Sequence, residues 1–395
     1  MSEFGRGLRS EWLLDPDVTY LNHGTVGCPP RRVLEHQWQL TQEIERNPAR
    51  FMLRELADAH ATGARSRVRE AATEVAAFVG ADAHGFAFVD NITEAANAVL
   101  RSYPLDREAQ VFVTDLGYGG VTNAAEYAAR VTGAAFSTIA MPRPGAPAEA
   151  FVAAIADALA AAPPSPSRLV VVDHLTSTTA LLLPLAEIAA TCHAAGALVL
   201  ADGAHVPGQI PLDIAALGVD WYAANLHKWA WAPRSCGFLW TAPEQRPHLR
   251  PAVISWGLDK GLAAEFDLPG THNPTAFLTA PVAIGMLQEY GSAAVYDYNH
   301  ELAWWAGRAL ADAWGTPFST PEAMIAAMVT VELPRSLGGT ADDAARVFAA
   351  LESAGIEAPV YALGSHLETR VSAQIYCARA DVDRLADTVL ALAHR

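Results

Sequence analysis

Short, almost wholly apolar runs recur along the first 240 residues of the chain, and Ala-rich amphipathic stretches separate most of them. The runs cover residues 86–89, 111–114, 169–172, 197–201, 221–224 and 236–240. Strands that are apolar on both faces are typical of a parallel sheet covered by helices on its two sides. Amphipathic stretches at 93–103, 118–131 and 184–195 predict those helices. The pattern therefore predicts an α/β fold with a mostly parallel sheet, which becomes partly antiparallel after residue 213.

A different pattern follows a Pro-containing segment at residues 269–281. A long helical stretch (282–314) comes first, and then strand, helix, strand and helix at 326–333, 340–354, 369–376 and 382–394. This order predicts a small C-terminal α+β domain of roughly 100 residues. We expect a large domain over residues 31–270 and an interdomain helix with the small domain over 271–395.

Charge and cysteine content exclude several classes of protein. The chain has 43 acidic and 27 basic residues and a net charge of −16, which disfavours binding to nucleic acid or to a membrane surface. Its four cysteines form no CxxC pair, its N-terminus does not resemble a signal peptide, and no apolar stretch approaches the roughly 20 residues of a membrane span. We therefore expect a cytoplasmic protein that acts on small molecules, without a bound metal.

An acid and a lysine follow two of the apolar runs. Asp202 ends the run at 197–201, and Lys228 comes shortly after the run at 221–224. Ligands of open α/β sheets bind where the strands end, so the two side chains would share one crevice. A structural ion pair between them is the simpler alternative.

A third feature is the segment Asp90-Asn91-Ile92-Thr93-Glu94, which leads from a strand into a helix. Asn91 is a good N-cap, and Glu94 completes a capping-box pattern. The free N–H groups of Ile92 and Thr93, with the Thr93 hydroxyl, would form a phosphate seat, although any helix needs a cap. A lysine, a buried acid and a phosphate seat are together the three contacts that pyridoxal 5′-phosphate requires.

The motifs that carry a family resemblance run from residue 20 to residue 376. They are Tyr20-Leu-Asn-His-Gly-Thr25, Asn91-Ile-Thr-Glu94, Asp115-Leu-Gly-Tyr118, His174-Leu-Thr-Ser177, Asp202-Gly-Ala-His205, Asn225-Leu-His-Lys-Trp229, Ser255-Trp-Gly257, Gly270-Thr271 and Arg370-Val-Ser-Ala-Gln-Ile-Tyr376. In this order the chain resembles the class V (fold-type I) pyridoxal-phosphate enzymes, and within them the isopenicillin N epimerase-like branch. The resemblance implies a large domain with a mostly parallel seven-stranded sheet and a small C-terminal domain.

The resemblance also implies roles for individual residues. Lys228 would carry the cofactor as a Schiff base and act as the base at Cα, and Asp202 would pair with the pyridine nitrogen. His205, shared with Ser177, would contact the phenolic oxygen, and Tyr118 would stack on the ring unless it is a core tyrosine. Thr93, Asn225 and His227 would contact the phosphate, although the last two could be packed strand-end residues.

For the substrate, the resemblance implies that Arg370 binds the α-carboxylate, with a surface arginine as the alternative. Residues 1–30 would pack near the active site, and Asn22 and His23 of this segment would contact the substrate. Thr271 would contact the phosphate of a second subunit, which implies a homodimer with active sites at the interface.

Two departures from the family pattern bear on the reaction. His272-Asn273 replaces an Arg-Asp pair, and residues 355–369 contain no cysteine where the related cysteine desulfurases carry theirs. We therefore expect no persulfide-forming desulfurase. Epimerisation or C–S/C–N lysis of an α-amino acid is favoured, with transamination as the alternative and a non-catalytic cofactor-binding sensor as the competing class. Tyr118, His23, Tyr222 and His272 are candidates for the second proton donor that an epimerase needs.

Overall fold

A computed structural model describes residues 4–57 and 66–394 of the chain. Its strands are β1 (Thr19–Tyr20), β2 (Phe86–Val89), β3 (Gln110–Thr114), β4 (Ala135–Ile139), β5 (Arg168–Asp173), β6 (Ala197–Asp202), β7 (Trp221–Asn225), β8 (Gly237–Thr241), β9 (Met328–Glu332), β10 (Ile356–Glu357), β11 (Val360–Leu363) and β12 (His366–Ser372). Its α-helices are α1 (His23–Val26), α2 (Arg31–Arg46), α3 (Pro48–Arg50), α4 (Arg67–Phe78), α5 (Ile92–Ser102), α6 (Gly119–Thr132), α7 (Ala148–Ala161), α8 (Leu185–Ala194), α9 (Ile214–Leu217), α10 (Leu262–Phe266), α11 (Thr275–Glu289), α12 (Ser292–Trp314), α13 (Ala341–Ser353) and α14 (Arg379–Ala393).

The central sheet has seven strands in the order β2-β8-β7-β6-β5-β3-β4. Only β8 runs antiparallel to its neighbours β2 and β7, and the other described pairings are parallel. The predicted sheet is thereby confirmed, including its antiparallel part. Strand β4 was not among the six predicted runs because it is an edge strand with mostly exposed side chains, so it lacks the apolar signal.

Helices cover both faces of this sheet, as the apolar strands predict. Alternate side chains of β3 and β5 pack on α5 and α6 on one face and on α7 and α8 on the other. The carboxyl ends of the parallel strands consequently lie at one edge, where α5 and α6 also begin. This edge collects strand-end side chains and helix N-termini in one place.

The C-terminal part forms a smaller unit around the antiparallel sheet β11-β12-β9. The predicted helical stretch 282–314 is interrupted, because α11 ends at Glu289 and α12 begins only at Ser292, after Gly291 with a φ of 83°. Helix α11 also begins at Thr275, inside the segment predicted to separate the domains. The predicted strand at 369–376 starts earlier, at His366, and pairs with β11 in a hairpin that the sequence did not indicate.

The N-terminal segment lies between the two units. Strand β1 pairs in parallel with β10 of the smaller unit, and Asn22 forms a bridge with Ser372. Gly27 then passes close to the lysine loop with a φ of 69°, where a β-carbon would lie 1.8 Å from the carbonyl oxygen of His227. Only glycine fits this approach. Among the described helices, none is long and apolar enough to cross a membrane.

Candidate active site

A cavity of about 1060 Å³ opens at the carboxyl edge of the central sheet. The structure brings ten of the predicted site residues to its wall: Ile92, Thr93, Tyr118, Ser177, Asp202, His205, Asn225, His227, Lys228 and Arg370. Strands β5, β6 and β7 supply the floor, the start of α5 supplies one side, and Arg370 of β12 reaches in from the smaller unit.

Lys228 is the amine of the cavity. Its surroundings lower its pKa from the ordinary 10.5 to about 8, because burial disfavours the charged form, while Asp202 and Asp173 oppose that effect. Its Nζ lies 3.2 Å from Nε2 of His205. A lysine with this pKa has a substantial neutral, nucleophilic fraction near pH 8.

His205 is a neutral imidazole in this site. Burial, followed by the charges of Lys228 and Arg370, lowers its pKa well below the ordinary value. The indole N–H of Trp229, which can only donate, lies 3.5 Å from Nδ1 of His205. This contact favours the proton on Nε2, which then faces Lys228 and the cavity as a hydrogen-bond donor.

Asp202 has one oxygen satisfied and one without a partner. Its Oδ1 accepts from the N–H of Ala204 at 2.9 Å, whereas Oδ2 is buried with no hydrogen bond. Burial raises the pKa of Asp202 to about 6, against the opposing effects of the Ala204 N–H and Lys228. An orphaned buried carboxylate oxygen beside a cavity is suited to a cationic N–H, and a protonated pyridine nitrogen supplies one.

A second acid, Asp173, also lines the cavity and was missed in the sequence. It lies directly beside Asp202 in the β5–β6 pairing. Burial and the neighbouring charge of Asp202 raise the pKa of Asp173 well above its ordinary value. The signal that singled out Asp202 was present here too, since Asp173 directly follows the apolar run at 169–172.

The N-terminus of α5 differs from the predicted capping box. The Asn91 side chain accepts from the N–H of Glu94, as predicted, but the Glu94 carboxylate accepts from the N–H of Asp90 rather than from that of Asn91. The N–H of Ile92 is not free either, because it donates to Oδ1 of Asn225 at 3.0 Å. The prediction that Ile92 offers a free N–H is therefore wrong, whereas Thr93, Asn225 and His227, the other predicted phosphate contacts, all line the cavity.

His227 follows β7 and faces the same end of the cavity. Its Nδ1 lies 2.8 Å from the carbonyl oxygen and 3.1 Å from the amide nitrogen of Cys236, so the backbone holds the ring. Burial lowers its pKa to about 4, and the imidazole is neutral at pH 7. Its Nε2 remains for a ligand, as a donor when Nδ1 accepts from the Cys236 N–H.

Tyr118 lies at the start of α6 and is 45% exposed. A core tyrosine is thereby ruled out, and its ring is accessible from the cavity as a stacking surface. Of the four predicted candidates for a second proton donor, Tyr118 alone lines the cavity of the described chain. Tyr222 is fully buried and bonded to Nδ1 of His174 at 3.0 Å.

Arg370 is a buried cation without an acidic partner among the described residues. It is 1% exposed, which excludes the alternative of a surface arginine. Its Nη1 donates to the carbonyl oxygen of Ser177 at 2.6 Å, with the Ser177 hydroxyl 3.5 Å away. Its Nη2 donates to the hydroxyl of Thr25 at 2.8 Å, and Nε has no partner. A buried guanidinium with unused donors favours an anionic ligand such as a carboxylate.

Three predicted site residues do not reach the cavity. His23 is buried below Lys228, with Nδ1 at 2.9 Å from the Tyr376 hydroxyl and Nε2 at 3.0 Å from the carbonyl oxygen of Lys228. Asn22 lies behind Thr25, which is itself a cavity residue that the prediction did not single out. Thr271 lies on an exposed loop of this chain.

The four cysteines also lie outside the cavity wall. Burial raises the pKa of Cys28 to about 11 and those of Cys192 and Cys377 to about 12, so these thiols stay protonated near neutral pH. The segment that precedes Arg370 is the β11–β12 hairpin. From it Tyr361 lines the cavity, with its ring centre 5.9 Å from the Arg370 guanidinium carbon.

Comparisons with known proteins identify the family of the chain. The class-V aminotransferase family matches residues 20–385. The chain is 33% identical to isopenicillin N epimerase from Streptomyces clavuligerus, covering 97% of both chains. It is 29% identical to L-cysteine desulfhydrase from Arabidopsis thaliana, covering 95% of this chain and 88% of the relative.

Solved structures share the fold at low identity. The apo structure of cysteine desulfurase from Thermococcus onnurineus NA1 matches with a TM-score of 0.80 and 18% identity, over 100% of this chain and 99% of that one. The cystine C–S lyase C-DES, in complex with its product cysteine persulfide, matches with a TM-score of 0.77 and 21% identity, over 95% and 97%.

Fold and site together define a pyridoxal-phosphate enzyme of fold-type I. The chain belongs to the class-V aminotransferase family. Pyridoxal 5′-phosphate is its cofactor, and the residues present fit it. Lys228 would hold its aldehyde carbon, the free Oδ2 of Asp202 its pyridine nitrogen, and Thr93 with His227 its phosphate.

Proposed function

We propose that this enzyme acts on an α-amino acid, binds its carboxylate on Arg370 and removes its Cα proton with Lys228. The proposal rests on one observation. A buried Arg370, which has no acidic partner among the described residues, lines the same cavity as a lysine whose pKa is lowered to about 8. The bound cofactor supplies an electron-withdrawing ring that acidifies the Cα–H of an attached amino acid.

The residues of the chain divide the remaining work. The carboxylate of Asp202 would stabilise positive charge on the ring nitrogen of the bound cofactor. Nε2–H of His205 would donate to the phenolic oxygen of the same ring. The amine of Lys228 would accept the Cα proton of the substrate and return it, in the neutral-to-basic pH range that its pKa allows. Ser177 and Thr25 accept from two of the five N–H groups of Arg370, and a second N–H on each terminal nitrogen is left for the substrate.

Epimerisation or C–S/C–N lysis is the reaction we favour. Relatives that cover most of the chain are named isopenicillin N epimerase, L-cysteine desulfhydrase and hercynylcysteine sulfoxide lyase. Tyr118 is the one predicted second proton donor that lines the cavity, and it would serve an epimerase. A persulfide-forming desulfurase is disfavoured because Tyr361 of the β11–β12 hairpin lines the cavity and no cysteine is among the described residues of the cavity wall. The presence of Lys228, Asp202 and Arg370 in one cavity likewise disfavours a non-catalytic sensor.

We also propose a homodimer whose second subunit completes the site. Val26, Tyr118 and Val253 line the cavity and are 45–56% exposed. The exposed apolar surface continues beyond the cavity through Ile254, Trp256 and Leu258. A second subunit covering this surface would close the cavity and could bring its own Thr271 to the phosphate.

Product analysis tests the reaction type. The holoenzyme is incubated with single L- and D-amino acids, including cysteine and its S-substituted derivatives, and the products are separated on a chiral column. Inversion at Cα supports an epimerase, and a 2-oxo acid formed together with ammonia and a released thiol supports a lyase. A 2-oxo acid that forms only when an amino acceptor is added would establish the transaminase instead.

A further inference from the structure

We propose that Thr25 and Asn22 are positioning residues for Arg370, which they connect to Glu357 through a directional chain of hydrogen bonds. The inference rests on the proposed function, in which Arg370 binds the substrate carboxylate. It assigns Asn22 to the support of the arginine rather than to direct contact with the substrate.

Three consecutive hydrogen bonds form the chain. Nη2 of Arg370 donates to Oγ1 of Thr25 at 2.8 Å. The Thr25 hydroxyl donates to Oδ1 of Asn22, and Nδ2 of Asn22 donates to Oε1 of Glu357 at 2.8 Å. A guanidinium begins the chain and a carboxylate ends it.

The chemistry of its two ends sets the direction of every bond. A guanidinium can only donate, so the Thr25 oxygen accepts and its single hydroxyl proton turns to Asn22. The amide oxygen of Asn22 is then committed to Thr25, and its NH₂ group faces Glu357, which as a carboxylate can only accept. The arrangement has one self-consistent polarity and aims the remaining donors of Arg370 at the cavity.

Regular structure anchors the chain at both ends. Glu357 lies in β10, which pairs with β1 just before Asn22, and Asn22 bridges Ser372, two residues beyond Arg370. The Ser177 carbonyl holds Nη1 from the other side. With both terminal nitrogens held, the orientation of the guanidinium plane is fixed, and so is the direction of the donors that no described residue uses.

Thr25→Val and Thr25→Ser are the variants that test the proposal. Valine keeps the shape of threonine and removes the hydroxyl, whereas serine keeps the hydroxyl. We expect Thr25→Val to raise KM for the amino-acid substrate about 10-fold and to leave kcat within about twofold, because a charge-assisted hydrogen bond orients the carboxylate site. Thr25→Ser should restore KM to within about twofold of the parent enzyme.

A ligand that binds without reacting separates positioning from a general structural effect. Calorimetry with a 2-hydroxy acid, which has the carboxylate and lacks the amine, should show the same 10-fold weakening in Thr25→Val, with and without the cofactor. Binding of the matching alkylamine, which lacks the carboxylate, should not change. Equal weakening of both ligands, or a Thr25→Val enzyme with an unchanged KM, would overturn the proposal.

Arg370→Ala distinguishes this failure from failure of the proposed function. If Arg370→Ala raises KM and Thr25→Val does not, the positioning chain is wrong while the carboxylate site stands. If Arg370→Ala leaves KM and the binding of the 2-hydroxy acid unchanged, the carboxylate site itself is wrong.

Discussion

The lowered pKa of Lys228 makes the stability of the protein depend on pH. The pKa of this lysine in the folded chain is about 8, against an ordinary 10.5, so between these values the unfolded chain binds more protons. The free energy of unfolding of the cofactor-free protein should therefore rise with pH in this window, and the lysine contributes at most about 3.4 kcal/mol to the rise.

Urea unfolding of the cofactor-free protein at pH 8 and pH 10.5, compared with Lys228→Met, measures this contribution. Groups that titrate in the window without interacting with Lys228 cancel in the difference, which leaves the lysine and the acids beside it, Asp202 and Asp173. We expect the advantage of Lys228→Met over the parent chain to shrink as the pH rises. A pH-independent difference would show that Lys228 has an ordinary pKa.

Substitution of Asp202 should affect the stability of the cofactor-free protein and the turnover of the holoenzyme differently. Asp202→Asn removes a buried carboxylate oxygen that has no partner, so we expect the cofactor-free protein to be no less stable than the parent. The amide cannot balance a protonated ring nitrogen, so turnover should fall at least about 100-fold. Urea unfolding and initial rates at saturating cofactor measure the two effects, and retention of full turnover would contradict the assigned role.

At the residue scale, the sequence correctly predicted the cavity side chains that follow strand ends. It wrongly placed at the cavity two residues that lie behind its wall. Asp202, Lys228 and Thr93 lie where the strand-end and helix-start patterns place them. Asn22 and His23 lie one layer deeper. The contact of Asn22 with Glu357 and that of His23 with Lys228 join residues more than 200 positions apart, so local sequence does not predict them.

The start of α5 is the element whose local chemistry is easiest to test. The Asn91 side chain accepts from the Glu94 N–H at 3.1 Å, so Asn91→Ala should lower the free energy of unfolding by about 1 kcal/mol. Asn91→Ser keeps a capping oxygen and should stay close to the parent. Denaturant unfolding of both variants checks this, and an Asn91→Ala variant as stable as the parent would show that the cap contributes nothing.

The predicted strands and helices match the structure where the apolar pattern determines their bounds. They differ from it where a turn or an exposed sheet edge determines them. The buried strands β5, β6 and β7 are apolar except at their ends and match their predicted runs to within a residue at each end. The exposed edge strand β4 and the break at Gly291 depend on exposure and on a positive φ, which periodicity does not report. The β11–β12 hairpin likewise depends on pairing in the smaller unit.

For the whole molecule, the exposed apolar surface around the cavity predicts a dimer. Trp256 is 89% exposed, so Trp256→Asp should shift the protein from dimer to monomer and weaken its hold on the cofactor. Tyr127→Asp is the matched control, because Tyr127 is an exposed aromatic on α6 that does not line the cavity. Sedimentation velocity at several concentrations measures the shift, and a monomeric parent enzyme with full activity would contradict the proposed dimer.

The measurement that tests the central proposal most directly is exchange of the Cα hydrogen of amino acids with solvent. The holoenzyme is incubated in D₂O with a panel of L- and D-amino acids, and the Cα signal is followed by proton NMR. We predict loss of this signal for at least one amino acid with the parent enzyme and none with Lys228→Ala, since we propose Lys228 as the base. Exchange that persists in Lys228→Ala, or no exchange or conversion of any amino acid by the parent enzyme, would contradict the account.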